Sequence, residues 1–313
     1  MSQANGASAG PRFVAAEEVR ARISPDRARD LVEAALANGF SPAADPGRIN
    51  TEAGAGHLLL MPSTIGEWVG IKVASVAPGN PELGLPRIQA TYLLLDAATL
   101  STKAIIDGVS LTSLRTPAVS AVAAKYLSAA NASRLVVFGA GPQAVEHAIA
   151  MAAIRDLESV RLVGRTPERL ANAVAELQSR GVAAEVGEIA DVAQADIIVC
   201  ATSAKDPLFD GALVPDGACV IAMGSHEPGR RELDAALMGR SLVVVEDQET
   251  ALRESGDVIQ AIDEGALSVD ALQSIDALVL GTVTRCDDRP NIFKGSGMSW
   301  EDLAVAIGVV SEE

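Results

Sequence analysis

The sequence predicts an α/β protein in which a doubly wound parallel sheet is joined to a separate α+β unit. Three observations predict it. From Arg134 onward short apolar runs alternate with stretches of helical period, whereas between Gly56 and Asp107 apolar runs follow one another with only turn residues between them. Nearly half of the 313 residues are hydrophobic, many of them Ala and Val, and aromatics are scarce. Strand and helix in alternation build a parallel sheet covered on both faces, and consecutive strands build an antiparallel one.

Taken in chain order, the first ten or so residues, small and polar, are expected to be disordered. Over residues 17 to 38, Val19, Ile23, Leu31, Val32, Ala35 and Leu36 recur at helical spacing. This reads as one or two helices broken near Ser24-Pro25 that cover a sheet. The runs LLLMP, WVGIKVASV, RIQATYLLLD and KAIID, parted by Pro, Gly, Asn and Asp, have the rhythm of an antiparallel meander. From residue 134 the order is LVVF, a helix to about Ala153, VRLVG, a helix from Pro167 to about Ser179, then AAEVG, ADIIVC, CVIAMG and SLVVVE. The closing segment IFKGSGMSWEDLAVAIGVV is again strand then helix, and its late position leads us to expect that it rejoins the first unit. Ser299 with Asp302 resembles a capping box for that helix. The resulting division is residues 1–128, 129–284 and a returning 285–313.

The stretch RLVVFGAGPQAVEH prescribes a ligand. Leu135, Val136, Val137 and Phe138 form a buried strand, and Val145, Ala148, Ile149 and Ala152 continue as a helix. Between them Gly139 permits the tight turn and Gly141 lets the backbone approach a pyrophosphate, which the next helix receives on its free N–H groups. Ala144 takes the third small position, where only close helix-to-strand packing is required. Ala140, Pro142 and Gln143 complete this loop. After the second strand there is no carboxylate at Gly164 to hold ribose hydroxyls; Arg165 and Thr166 follow instead. A glycine leaves room for a 2′-phosphate and an arginine pairs with it, so NADP(H) is expected over NAD(H). Ala201, Thr202 and Ser203 end the next-but-one strand, where strand ends line the crevice, and with Met223, Gly224 and Thr116 they complete the expected cofactor set.

The formal charge of −16 argues against nucleic acid and against anionic membrane surfaces as partners. Cys200, Cys219 and Cys286 are far apart and without metal-ligand spacing, so neither a disulfide framework nor a metal site is expected, and a reducing cytoplasm fits. No apolar run approaches membrane-spanning length.

Four strings occur in order between about Arg48 and Ala306: IKVASVAPGNP, GVSLTSLRTPAVSAVAAKYL, MGSHEPGRREL and IFKGSGMSWEDLA. Together they resemble the ornithine cyclodeaminase/mu-crystallin family. The resemblance implies a Rossmann domain joined to a substrate-binding and dimerisation domain made from the N-terminal part and the C-terminal end, assembled as a homodimer. It also implies α-amino or α-imino acid chemistry at a nicotinamide. Cyclodeaminases, alanine dehydrogenases, imino-acid reductases and hormone-binding lens proteins share the family, so membership does not select the reaction.

Three cations are expected to hold the substrate. Arg115 matches the family's carboxylate-binding arginine, and with Thr116 as N-cap and Pro117 as first helical residue its guanidinium would add to a helix N-terminus. Arg48 corresponds to a second substrate-binding arginine. Lys72 points away from Ile71 and Val73, alongside Gly70 and Ala74, where small neighbours leave room for a ligand. The family places a lysine there; desolvated near two arginines it would acquire a lowered pKa and supply a proton to nitrogen as hydride reaches carbon. Two departures bear on the reaction. His226 stands where cyclodeaminases carry an aspartate, and Leu59 replaces a glutamate. Their loss disfavours ornithine cyclisation and suggests a substrate with an apolar or short side chain. His226 is a candidate acid/base near neutral pH, while His147 and His57 read as structural. Asp302 matches a C-terminal acidic residue of the family.

The leading expectation is an NAD(P)H-dependent imino-acid (ketimine) reductase or amino-acid dehydrogenase that transfers hydride to or from C2 of a small amino or imino acid. The alternatives are an ornithine or lysine cyclodeaminase with bound NAD, and a non-catalytic NADPH-binding or small-ligand-binding protein.

Overall fold

The computed structural model describes residues 10–311, so the expectation for the N-terminal tail falls almost wholly outside the described residues. The chain enters through β1 (Arg12–Val14), α1 (Ala16–Arg22) and α2 (Pro25–Ala37). Ser24 parts the two helices by accepting a hydrogen bond from the Arg27 N–H at 3.2 Å, with Pro25 preset as first helical residue, so the expected break stands. Then come β2 (Ile49–Ala53), β3 (Gly56–Ile65), β4 (Trp68–Val76), β5 (Ile88–Asp96) and β6 (Thr102–Asp107). They pair antiparallel in sequence, as the meander reading expects, and β1 adds to β6 in parallel, giving the order β1-β6-β5-β4-β3-β2. Alternation along β4 sends Gly70, Lys72 and Ala74 to the buried face and leaves Ile71 and Val73 half-buried on the other.

β6 runs directly into α3 (Gly108–Leu127), whose N-cap is Asp107, accepting from the Ser110 N–H at 2.7 Å. The reading of Thr116 and Pro117 as a helix start is therefore corrected. Both lie within α3, and Arg115 is not at a helix N-terminus. The physical reason is that an Asp cap directly after a strand outweighs a proline: Pro117 stays inside a helix that packs against α2, α4 (Pro142–Ile154) and the end of the chain.

β7 (Arg134–Phe138) leads into α4, β8 (Ser159–Val163), α5 (Pro167–Ser179), β9 (Ala184–Val186), β10 (Ile197–Cys200) and β11 (Cys219–Ala222). All are parallel in the order β9-β8-β7-β10-β11, the reversal at β7 marking a Rossmann switch point. There follow α6 (Ala235–Arg240), β12 (Leu242–Val245), α7 (Gln248–Glu254), α8 (Gly256–Asp263), β13 (Gln273–Ser274) and α9 (Ile275–Val279), and last β14 (Asn291–Lys294) and α10 (Ser299–Ser311).

A second correction concerns β14. We expected it to rejoin the first sheet, but it is inserted between β11 and β12 of the Rossmann sheet, parallel to both. Its four residues are buried on both faces, which only the interior of a parallel sheet provides. The helix after it does return: α10 packs on β3, β4, α2 and α3. Sheet and helix thus part company at Gly295–Gly297, and that crossing carries residues of the candidate site. No helix among the described residues is long and apolar enough to cross a membrane.

Candidate active site

The site begins with a buried cluster of charges where β4, α3 and α10 meet. Lys72 Nζ lies 2.6 Å from Asp302 Oδ2 and 3.4 Å from Thr112 Oγ1. Arg115 Nη1 donates to Glu301 Oε2 at 2.6 Å, and its Nε is 3.5 Å from Asp302 Oδ1. Asp302 therefore spans both cations and does not cap its helix. That reading is corrected, because it is Glu301 whose Oε1 accepts from the Met298 N–H at 3.1 Å. At the end of β12, Glu246 accepts from the Ser296 N–H and hydroxyl at 2.7 and 2.9 Å and from the Gly297 N–H. Gly297 has φ +79°, and a Cβ there would fall 2.4 Å from Arg115 Nη1, so only glycine lets the crossing chain press against the guanidinium. Arg48 Nη2 approaches from the other side, donating to the Ser296 and Gly297 carbonyls at 3.0 and 2.8 Å and pairing with Glu254 at 2.8 Å. Arg48 and Arg115 thus meet at one loop, and Asp302 joins Arg115 to Lys72.

Burial pushes the Lys72 ammonium down to about 8, aided by Arg115 and opposed by Asp302. Burial also disfavours the Arg115 charge, but Asp302, Glu301 and Glu246 overcome it and hold the guanidinium charged. Burial and the adjacent Glu246 push the Glu301 carboxyl up, and the Arg115 guanidinium and the Met298 N–H oppose this. The arrangement offers a fixed positive charge beside an amine that titrates close to neutral pH. Leu59 pairs with Ala74 across β3 and β4, and Met61 with Lys72, so both apolar side chains share the lysine's face. A narrow crevice opens beside Met61, lined by Asp45, Arg48, Thr250, Arg253 and Gly297 among others.

His226 lies exposed at the edge of this region. Crowding by neighbouring atoms and the charges of Arg48 and Lys294 lower its pKa. It makes no hydrogen bond to the cluster among the described residues.

The glycine loop fits a dinucleotide. At Gly139, φ is +129° and a Cβ would meet the Ala201 carbonyl at 2.6 Å and Ala144 Cβ at 3.2 Å, so turn and close packing both require the missing side chain. Gly141 is the N-cap of α4, with no side-chain cap and open space before it, which leaves the helix N–H groups to an anion. Ala140, Pro142 and Gln143 line the same turn. Behind it His147 is buried: its Nδ1 donates to the Gln143 carbonyl at 2.7 Å and its Nε2 accepts from Ser120 Oγ at 2.9 Å. Ser120 also reaches the Thr116 carbonyl, so this histidine ties α4 to the helix that carries Arg115. Gly164, Arg165 and Thr166 stand exposed at the end of β8, and Arg165 has no ion-pair partner among the described residues.

The loops after β10 and β11 are joined by a residue the sequence reading missed. Glu232, fully buried, accepts from the Thr202 N–H and hydroxyl at 2.8 and 2.7 Å and from the Gly224 N–H at 2.7 Å. This fixes Ala201, Thr202 and Ser203 beside Met223 and Gly224. Lys294 completes the support by donating to the Ser225 and Gly295 carbonyls at 2.5 and 2.9 Å, with Asp257 3.6 Å away. Glu232 and Lys294 stand inside two of the quoted strings; for Lys294 a charge at the end of the apolar run NIF was the available signal, whereas Glu232 lies in the charged run RREL and gave none. Glu246 and Glu301 gave none, because acids near strand and helix ends are ordinarily solvated.

The chain is similar to known proteins over nearly its whole length. The chain is 32% identical to the ketimine reductase mu-crystallin of Rattus norvegicus over 307 residues, covering 95% of each. The structure of Thermococcus litoralis Δ1-pyrroline-2-carboxylate reductase in complex with NADH and L-proline superposes with a TM-score of 0.88 at 28% identity, covering 95% of this chain and 96% of that one. An archaeal alanine dehydrogenase dimer with bound NAD does so with a TM-score of 0.89 at 30% identity, covering 96% and 94%. Over residues 11–313 the chain matches the model of the ornithine cyclodeaminase/mu-crystallin family, and it belongs to that family.

Proposed function

We propose that the protein is an NAD(P)H-dependent imino-acid reductase, running in reverse as an amino-acid dehydrogenase, with Lys72 as its proton donor. The observation that carries this is the buried Lys72–Asp302 pair beside Arg115, on the side of the molecule where the Rossmann strand ends open. Relatives named for pyrroline-2-carboxylate, ketimine and alanine chemistry support the reaction class.

Arg115 is the carboxylate anchor. Its Nη1 and Nε face Glu301 and Asp302, leaving Nη2 for the substrate. Arg48 closes the other side of the loop. A nicotinamide held by the glycine loop supplies or takes up the hydride at C2. Lys72 gives a proton to nitrogen in reduction and removes one in oxidation, and its lowered pKa suits both directions near neutral pH. Leu59 and Met61 form the wall that meets the substrate side chain, which favours short or apolar groups and leaves a basic amine unpaired. His226 is a secondary acid/base at the edge.

NADP(H) is the preferred cofactor, on the strength of Gly164 and of Arg165 at the end of β8, which has no ion-pair partner among the described residues. The assembly is a homodimer. Pro62, Ile71, Leu93, Ile105 and Phe13 pair across the sheet into one apolar row on its outer face, and Phe13 is 75% exposed. A reducing cytoplasmic setting accords with three free cysteines.

The test is a panel of cyclic ketimines, and of 2-oxo acids with ammonia or methylamine, followed by NADPH and NADH absorbance and by ammonia release. Oxidation of NADPH by an imino acid supports the proposal. Ammonia from ornithine or lysine without net cofactor turnover refutes it in favour of cyclodeamination, and tight cofactor binding without turnover refutes it in favour of a binding protein.

A further inference from the structure

Four buried polar atoms lie around Lys72 without a close hydrogen-bond partner: Asp302 Oδ1, which has Arg115 Nε at 3.5 Å, Tyr92 Oη, and Ser63 Oγ and Asp45 Oδ1, which lie near each other. Their placement follows from register. Tyr92 is the cross-strand neighbour of Lys72, and Ser63 that of Gly70, so all three side chains share the inner face of the sheet. The Tyr92 hydroxyl lies over Gly70, 1.9 Å from where a Cβ would stand, so the glycine makes room for it. Asp45 reaches the same place from the preceding loop. Its Oδ2 accepts from the Trp300 N–H at 3.0 Å, its carboxyl feels Ser63 and Asp302, and Tyr92 feels both acids. Tyr92, Ser63 and Asp302 are 0%, 1% and 0% exposed, whereas Asp45 is half-buried and lines the crevice beside Arg253.

Buried polar atoms are satisfied in nearly all native structures, and a local group of unsatisfied ones calls for a role or for bridging water. The reaction supplies a need. Lys72 is 3% exposed, and its front is covered once substrate is bound, yet each reduction takes one of its protons. A supply from behind leaves the substrate undisturbed.

We propose that Asp45, Ser63 and Tyr92, bridged by ordered water to Asp302, form a proton-delivery path that recharges Lys72 from solvent. The inference rests on the reductase reading. In each reduction the imine carbon receives hydride, with its electron pair, from the reduced nicotinamide, and the nitrogen receives a proton as an Nζ–H bond of Lys72 breaks. The freed Nζ lone pair then takes a proton from the water at Asp302. Each donor along the path is refilled by the next, and Asp45 regains its proton from solvent, so no group other than cofactor and substrate changes oxidation state. Burial supports the direction of flow, holding the Asp45 carboxyl up to about 6, below the amine it feeds. Its surroundings are Ser63, the Ser299 and Trp300 N–H groups, Asp302 and Tyr92, with Arg253 across the crevice.

The test compares first-turnover and steady-state reduction in wild type, Asp45→Asn and Tyr92→Phe at low buffer concentration. The expected result is a steady-state rate lowered about tenfold with the first hydride transfer retained, and recovery on adding imidazole or formate as a small proton donor. A high-resolution crystal structure of the ligand-free wild type is expected to show water joining Tyr92 Oη, Asp302 Oδ1 and Asp45. Equal loss of both phases without recovery, no loss in either variant, or a dry cluster overturns the path. If the wild type itself reduces no imino acid, the reductase reading fails first; if it does and Asp45→Asn matches it, only the path fails.

Discussion

Lys72 and Asp302, 230 positions apart in the chain, lie 2.6 Å apart with 4% and 0% of their side chains exposed. Neither charge is stable there alone, since an unpaired ion in such a site costs several kcal/mol. The pair therefore couples β4 to α10.

Replacing Lys72 by Met is expected to lower kcat for imine reduction by about 10² to 10⁴, the usual weight of a positioned acid. In the wild type kcat for reduction is expected to fall as pH rises through about 8, as the proposed donor loses its charge, and the oxidative rate is expected to rise over the same range. Steady-state profiles in both directions check this; a basic limb retained in Lys72→Met assigns the titration elsewhere.

Asp302→Asn leaves the lysine charge buried without its partner. The folded protein is expected to lose about 3 to 5 kcal/mol, and the basic limb of the reductive profile to shift to lower pH. Urea unfolding and a pH profile of the variant measure the two effects.

His147 links α3 to α4 and is neutral in the folded state, burial having pushed its pKa down to about 4. An unfolded histidine titrates near 6.5, so between these values the unfolded chain binds more protons and stability falls as pH falls. The loss approaches about 1.4 kcal/mol per pH unit. Thermal melts from pH 7 to 4.5 are expected to flatten in His147→Gln; an unchanged slope removes His147 as the cause.

Arg165→Ser is expected to weaken NADPH binding by about 10-fold to 100-fold, the value of a charge-assisted contact, while NADH changes little. Fluorescence titration of both cofactors decides it. Equal weakening of the two means that Arg165 does not read the 2′-phosphate.

Ile71→Asp, in the middle of the apolar outer row of the first sheet, is expected to convert a dimer into monomer without loss of helix content. Light scattering and circular dichroism report the two properties.

Much of the fold was legible because it rests on short-range rules. The glycine loop, the meander and the break at Ser24-Pro25 are each written in a few adjacent residues. Lys72 was legible for the same reason, since period-two alternation sets its face. What escaped depends on long-range partners. NIFK is a plain apolar strand, and nothing local says which sheet it enters. The Thr116-Pro117 pair imitates a helix start, and only the cap at Asp107 shows that the helix has already begun. Asp302 imitates a cap, and its true partners come from β4 and α3. Arg48 and Arg115 were placed by resemblance, while the acids that hold them, Glu254 and Glu301, carry no mark in the sequence.

The insertion of β14 between β11 and β12 has a consequence for biosynthesis. A chain leaving the ribosome from its N-terminus can pair β7 to β11 early, but β12 has no place in the sheet until Asn291–Lys294 emerges. Until then an apolar sheet edge stays open to other nascent chains, and slow non-local pairing is the final step. The same late segment brings Glu301 and Asp302, so the strand that fills the sheet and the acids that pair with Arg115 and Lys72 emerge together.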